Sequence, residues 1–212
     1  VIYWGTDKNV GGAGGFFLGS KWAHKKGFRW LWLMDDDGFP EAGCLENLLT
    51  VSEAEALDIA GPVVIDESNH SLLSFGIGGF SSYDEIRDRF SNGVIENRLN
   101  PFNGTLIRSS VLDRIGFIKR EMFIWGDETE YLERALRKKL KVATVIEAKH
   151  YHPRVKGTYV RLPFSIGSVM VKPRDKMKIY ARNLGYIDKT YHSSKISVKN
   201  RTKYFLYYII KE

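Results

Sequence analysis

Three consecutive carboxylates, Asp35, Asp36 and Asp37, follow directly on the apolar run Trp30–Met34. An apolar run of this length predicts a buried strand, and ligand sites of α/β sheets form at the carboxyl ends of strands. Crowded carboxylates repel one another and lose hydration when partly buried, so a divalent cation is their usual compensation. Oxygen ligands suit Mg²⁺ or Mn²⁺, and alternation along an extended chain puts Asp35 and Asp37 on one side. A solvated acidic turn is the alternative.

A second group of acids, Asp127, Glu128 and Glu130, begins a segment with helical spacing and follows Trp125. A carboxylate beside an aromatic wall can act as a general base toward an acceptor hydroxyl. The helix dipole also favours carboxylates in a first turn, so Asp127 could instead be an N-cap with Glu130 closing a capping box. This segment leaves both interpretations open.

Two histidines, His150 and His152, follow the β-branched stretch at residues 142–146. Alternation along a strand places both rings on one face. A histidine beside carboxylates can complete a transition-metal site, and packing is the alternative role.

Four glycines stand between Asn9 and Phe16, at positions 11, 12, 14 and 15. Glycine lets backbone N–H groups approach a ligand closely, and a following helix offers its positive end. The spacing matches neither the phosphate-binding P-loop nor the dinucleotide fingerprint. A tight strand–helix connection is the alternative.

Strands and helices that alternate along the chain must position these residues. We predict strands at residues 1–4, 28–34, 59–65, 102–108 and 142–146, and helices at residues 16–26, 41–51, 109–115 and 127–139. Residues 81–97 are polar and predict a loop. The alternation favours an α/β fold with parallel strands.

The composition is that of a folded protein, and its charge is uneven. The 212 residues predict one domain with an appendage, and the single cysteine excludes an internal disulfide. Residues 1–150 hold 18 Lys+Arg against 22 Asp+Glu, whereas residues 151–212 hold 14 against 3. A basic, aromatic region of this kind favours an anionic partner, such as lipid headgroups, a diphosphate or nucleic acid. A solvated pair of basic helices packed on the body is the alternative.

In combination and in this order, the motifs resemble the inverting family 2 glycosyltransferases of the GT-A fold, in particular their galactofuranosyl- and rhamnosyltransferase-type members. Residues 9–16 resemble that family's Asn-x-Gly-Gly-x-Gly-Gly-Phe element, and residues 34–37 resemble its Asp-x-Asp metal motif. Residues 125–131 resemble its acidic catalytic segment, and His152 matches its metal-binding histidine.

The resemblance implies an architecture. Residues 1–155 would form a partial GT-A catalytic domain, Rossmann-related, with a mixed, mainly parallel sheet flanked by helices. Residues 156–212 would form a basic, aromatic helical extension. Family members begin with strands that bind the nucleotide base, and we expect this chain to lack those usual N-terminal strands, since it starts at the equivalent of the third strand.

The resemblance also implies a role for each matching residue. The metal, Mn²⁺ or Mg²⁺, would be bound by Asp35, Asp37 and His152, with His150 as the fallback ligand. The donor nucleotide would contact Asn9, Gly11, Gly12, Asp35 and Asp36. Glu128 would be the catalytic base, Asp127 would support it or contact the acceptor, and Trp125 would contact the acceptor sugar.

The implied reaction is transfer of a hexosyl group, with inversion, from a UDP- or TDP-sugar to a saccharide or lipid-linked acceptor in polysaccharide or cell-surface glycan synthesis. The absence of a long apolar run or signal peptide predicts a cytoplasmic protein. The basic C-terminal region would place it peripherally at the inner face of the membrane, and the glycosyltransferase interpretation predicts no nucleic-acid partner. Two alternatives remain: a metal-dependent phosphodiesterase or nuclease built on the same acids and histidine, and a non-catalytic fragment whose basic region binds nucleic acid or membrane.

Overall fold

The computed structural model describes residues 1–154, 157–163 and 167–211. Its strands are β1 (Trp30–Met34), β2 (Phe39–Pro40), β3 (Ile59–Asp66), β4 (Asn69–Ile77), β5 (Phe80–Ser82), β6 (Val94–Glu96), β7 (Asn103–Arg108), β8 (Val142–His152), β9 (Thr158–Leu162) and β10 (Gly167–Val171). Its α-helices are α1 (Gly11–Lys25), α2 (Cys44–Ala54), α3 (Tyr83–Arg89), α4 (Ser109–Ile115), α5 (Asp127–Arg137), α6 (Arg174–Tyr191) and α7 (Ser194–Lys211), and one 3₁₀ turn spans Arg120–Met122.

Eight of the described strands form one mixed sheet. β7 lies between β1 and β3 and is antiparallel to both, and β8 is parallel to β3. β1, β3 and β8 therefore run in one direction. The remaining pairings of this sheet, β3 with β4, β4 with β5, and β2 and β6 with β8, are antiparallel.

The α/β class is confirmed, but the prediction of a mainly parallel sheet is wrong. Strand–helix alternation in the first half of the chain correctly implied strands of one direction. It could not reveal that β7 inserts antiparallel between β1 and β3, or that short hairpin strands add to the edges. Such pairings are set by tertiary contacts rather than by local pattern.

Helices cover both faces of the sheet. All eight residues of β3 are buried, which makes it the central strand. Its neighbouring residues Ile59 and Ala60 belong to different hydrophobic clusters: Ile59 packs with residues of α1, α4 and α5, and Ala60 with residues of α2. This alternation is the expected signature of a strand with a layer of helices on each side.

Two local predictions fail. Residues 1–10 form no strand in this structure, and the apolar side chains of Val1, Ile2, Tyr3 and Trp4 are exposed. Residues 81–97 contain α3 and β6 rather than a loop, because Ile86, Val94 and Ile95 are buried in the core. Burial of a few apolar residues can order a segment that is polar on average.

The last part of the chain is only partly the helical extension that was predicted. β9 and β10 form a separate antiparallel pair before α6 and α7, each of which has 18 residues. The predicted domain boundary at residues 155 and 156 falls outside the described residues. Within the described ranges, none of the helices combines the length and apolar character needed to cross a lipid bilayer.

Candidate active site

The acidic turn after β1 is tied to the end of β8. The Asp35 N–H donates to the Phe102 carbonyl oxygen at 3.0 Å. Beyond the turn, Phe39 and Pro40 pair with Tyr151 and His150 of β8. This pairing brings the turn against the last residues of β8, where the Asp37 Oδ1 lies 3.0 Å from the His152 Nε2.

A hydrogen bond to the backbone fixes the tautomer of His152. Its Nδ1 lies 2.6 Å from the Pro153 carbonyl oxygen, which can only accept, so Nδ1 carries the hydrogen. In the neutral ring, Nε2 then presents a lone pair to the Asp37 carboxylate. Either a second proton or a cation bound by both groups removes this conflict.

The donor set fits Mg²⁺ or Mn²⁺. A carboxylate oxygen and an imidazole nitrogen 3.0 Å apart have the spacing of adjacent ligands in an octahedral shell with bonds of about 2.1 Å. In the described part of the chain, however, no three His, Cys, Asp or Glu side chains already converge as a ready metal site. The assignment of Asp35, Asp37 and His152 as metal ligands stays a prediction.

Asp35 belongs to the same electrostatic cluster. Burial, followed by the negative charges of Asp37 and Glu128, raises its pKa to about 6, and His152 opposes this shift. Asp36 is exposed and has the weakest effect on Asp35. The structure therefore brings the two carboxylates predicted to share a metal together with His152 and Glu128.

His150 is buried beneath the acidic turn. Neither of its ring nitrogens has a hydrogen-bond partner among the described residues, and burial lowers its pKa to about 4. A Cβ on Gly38 would lie 2.5 Å from its Nε2, so only glycine fits there. The neutral ring packs against the turn, while His152 makes the contact with the acids.

The acids at the start of α5 do not form the capping box. Gly126 is the N-cap, and Asp127 is the first helical residue with no cap hydrogen bond. Glu130 is fully buried, where it binds Arg134 at 2.8 Å and accepts from the Tyr191 hydroxyl at 2.7 Å. The capping-box interpretation is wrong because Glu130 serves the packing of α5 on α6.

Asp127 and Glu128 are neighbouring carboxyl groups that interact directly. Burial, and then the charge of Glu128, raise the pKa of Asp127 to about 8. This shift favours the protonated form of Asp127, whose side chain hydrogen-bonds with that of Glu128. The Glu128 Oε2 also accepts from the Gly126 N–H at 2.8 Å, so two donors hold this half-buried carboxylate in place.

The glycine-rich segment is the first turn of α1 rather than a turn before it. The Asn9 Oδ1 accepts from the Gly11 N–H at 2.9 Å, and the Ala13 N–H donates to the Phe123 carbonyl oxygen at 3.2 Å. A Cβ on Gly11 would overlap that same oxygen, and the φ of Gly11 is +69°. Asn9 and Gly11 thus have structural roles, whereas Gly12 faces open space.

The loop before α5 is held in an unusual backbone conformation. Phe123 and Trp125 have φ values of 64° and 58°, and Gly126 has 101°. Non-glycine residues rarely adopt such angles without support from their surroundings. Asn183 of α6 gives that support: its amide nitrogen is within 2.7–3.1 Å of the Met122, Ile124 and Trp125 carbonyl oxygens.

Two further residues at this site, Asn183 and Lys172, were not predicted from the sequence. The Lys172 Nζ lies 4.4 Å from the centroid of the Trp125 ring, and Tyr180 meets that ring edge-on at 6.3 Å. Both residues lie in the basic region, where one more lysine or asparagine carries no signal in its spacing. Trp125, predicted to contact an acceptor, is therefore partly covered by Lys172.

No protein-family model matches this chain. The chain is similar to curated relatives named galactofuranosyltransferase GlfT1: it is 35% identical over 195 residues to that of Mycobacterium tuberculosis and 32% identical over 196 residues to that of Mycolicibacterium smegmatis. The alignments cover 88% and 87% of this chain, respectively. They cover 64% of each relative, so the chain spans just under two thirds of the length of the relatives that it matches.

Proposed function

We propose that this chain is the catalytic part of a metal-dependent, inverting glycosyltransferase that transfers a galactofuranosyl group from a nucleoside-diphosphate donor to a saccharide or lipid-linked acceptor in cell-wall glycan synthesis. The observation that carries the proposal is the 3.0 Å contact between Asp37 and His152 within one cluster with Asp35, Asp127 and Glu128. The names of the curated relatives support the choice of sugar.

Asp35, Asp37 and His152 would hold Mn²⁺ or Mg²⁺, which when bound would stabilise the charge that develops on the leaving diphosphate. Glu128 removes the proton of the acceptor hydroxyl. The hydroxyl oxygen attacks the anomeric carbon at the same time, and the bond between that carbon and the diphosphate breaks. Asp127 keeps its proton and orients Glu128 by a hydrogen bond. A single displacement of this kind inverts the anomeric configuration.

The donor would lie across the carboxyl end of β1. A Cβ on Gly12 would meet open space, and Asp36 is exposed in the acidic turn, so both positions are accessible to a donor. The common direction of β1, β3 and β8, with the acids at a strand end, supports a GT-A-like, Rossmann-related arrangement. The candidate nucleotides of the donor are UDP and TDP.

The surface of α7 supports binding to a membrane. On α7, Val198, Phe205 and Ile209 are exposed and share one helical face, with the exposed Lys199 and Arg201 beside it. A basic helix with an apolar face binds anionic lipid surfaces by burying that face. We therefore propose a cytoplasmic protein, peripheral at the inner face of the membrane.

The test is release of nucleoside diphosphate from UDP- or TDP-galactofuranose by the purified chain, with and without Mn²⁺. We expect metal-dependent release, and a loss of about 100-fold or more for Asp37→Asn and His152→Ala. Glu133→Gln, on the same helix as Glu128 but outside the cluster, is the control and should leave release unchanged. Metal-independent release, or metal-dependent cleavage of nucleic acid instead, would contradict the proposal.

A further inference from the structure

Lys172 is a half-buried cation beside the candidate active site. It lies between β10 and α6, and its Nζ is 4.4 Å from the Trp125 ring centroid and 5.6 Å from that of Tyr180. Within the described residues, its ammonium forms no ion pair with a carboxylate. Two aromatic faces hold a positive charge in place without neutralising it, which leaves its N–H donors available to an anion.

The acid that faces Lys172 is Glu128. Glu128 raises the pKa of Lys172, while burial, the larger influence, lowers it. Glu128 also raises the pKa of Asp35, so the lysine and the acidic turn interact with the same carboxylate. The segment between β10 and α6 thus places one positively charged side chain beside Trp125, close to the acids at the start of α5. It belongs to the basic region, whose charge predicted an anionic partner without indicating which lysine would contact it.

The negative charge of the carboxylate cluster makes a nearby positive side chain favourable for binding an anion. Asp35, Asp37 and Glu128 together repel any anionic ligand, and a single divalent cation does not offset three carboxylates and a diphosphate. Phosphate oxygens are strong acceptors for an ammonium group, whereas the hydroxyls of a neutral acceptor sugar gain little from a full positive charge. The ligand that fits Lys172 is therefore the anionic part of the donor.

We propose that Lys172 binds the diphosphate of the donor nucleotide and stays bound to the nucleoside diphosphate as it leaves. This inference rests on the proposed function, because it assigns the ligand of the same site. It makes Lys172 a binding residue for the leaving group, supplied by the basic region rather than by the segments that carry the acids.

The experiment is calorimetric titration of the full chain with Mn²⁺-UDP and with Mn²⁺-pyrophosphate, which carries the phosphate chemistry without a nucleobase. Lys172→Met keeps the apolar stem on Trp125 and removes the charge, and it should weaken both affinities by about tenfold or more. Lys172→Arg should retain most of the affinity. Lys178→Met, an exposed lysine on α6, is the matched control and should change neither affinity by more than about twofold.

Three outcomes overturn the inference. In the first, Lys172→Met folds, as judged by its melting temperature, and binds both ligands as tightly as the unaltered chain does. In the second, Lys172→Met raises only the KM for the acceptor in the transfer assay, which assigns Lys172 to the acceptor site. If the unaltered chain binds neither Mn²⁺-UDP nor Mn²⁺-pyrophosphate, the proposed function fails together with the inference. If Lys172→Met fails to fold, Lys172→Gln replaces it under the same criteria.

Discussion

Asp37 and His152 are 115 positions apart in the chain and 3.0 Å apart in the structure. The family resemblance placed both residues at one site. The contact has a simple physical basis, because β1 and β8 run in one direction and their carboxyl ends lie at one edge of the sheet. The state of Asp127 was less accessible. Only the fold shows that it is buried next to a second carboxyl, and this burial decides its protonation.

The stability of the protein should depend on pH through Asp127. The native state holds a proton on this group that the unfolded chain releases near its ordinary pKa of 3.8. Its contribution to the free energy of unfolding is therefore intact below about pH 4 and is lost as pH rises toward 8. Asparagine does not titrate, so Asp127→Asn removes this loss. Between pH 5 and pH 9, we expect the free energy of unfolding of the variant to rise by at least about 1 kcal/mol relative to that of the unaltered chain.

Chemical denaturation at both pH values measures this difference. Glu133→Gln on the same helix should show no pH-dependent gain. A constant difference between Asp127→Asn and the unaltered chain across this range would show that Asp127 is ionised in the folded protein.

At the scale of elements, the start of α1 was predicted at the wrong place. The glycines were expected to form a turn before the helix, yet the helix begins at Gly11. Glycine is a poor helix former, and the local pattern is therefore misleading. The contact of Gly11 and Ala13 with the Phe123 carbonyl, more than 100 residues away, stabilises a helical turn that the sequence alone does not predict.

Gly11 and Gly12 should respond differently to alanine. Gly11→Ala puts a Cβ against the Phe123 carbonyl at a positive φ, so we expect a loss of more than about 2 kcal/mol of stability. Gly12→Ala points into open space and should be neutral or stabilising by about 0.5–1 kcal/mol.

The same pair of variants tests donor binding at α1. If the donor approaches Gly12, Gly12→Ala should weaken Mn²⁺-UDP binding while the melting temperature stays the same or rises. Unchanged affinity in this stable variant would remove Gly12 from the donor site.

α6 supports the loop that carries Trp125, and Asn183 makes the key contacts. Asn183→Ala removes the amide donor that the Met122, Ile124 and Trp125 carbonyls share. The Met122 carbonyl keeps the Ile124 N–H as a donor, so we expect a loss of about 1–3 kcal/mol, mainly from the other two carbonyls. Asn183→Asp places an acceptor against those carbonyls and should be worse than alanine. Thermal unfolding measures both, with the exposed Asn92→Asp as the control, and an aspartate variant as stable as the unaltered chain would show that these hydrogen bonds do not hold the loop.

At the scale of the whole molecule, the uneven charge was evident from the sequence, whereas the route of the basic region was not. That region was expected to be an appendage, yet α6 contacts the loop before α5, and Lys172 reaches Trp125. The number of charged residues in a region predicts the charge of its surface, but it does not show which lysine or arginine side chains lie at a site.

Binding to anionic vesicles should depend on α7. Replacing Lys199 and Arg201 with glutamine removes two charges, each worth about 1 kcal/mol near an anionic surface, so we expect about 30-fold weaker binding to vesicles that contain phosphatidylglycerol. The control replaces Lys25 and Lys26 at the end of α1, which changes the net charge equally. If both double substitutions weaken vesicle binding equally, net charge alone explains the effect and α7 is not the membrane-facing surface.

The central claim is that Asp37 and His152 bind a cation together with a nucleoside diphosphate. The most direct measurement is Mn²⁺ affinity by electron paramagnetic resonance in the presence of UDP, for the unaltered chain, Asp37→Asn and His152→Ala. We predict UDP-dependent Mn²⁺ binding by the unaltered chain and affinities lower by about tenfold or more in each variant. Equal Mn²⁺ affinity in all three proteins would contradict the claim.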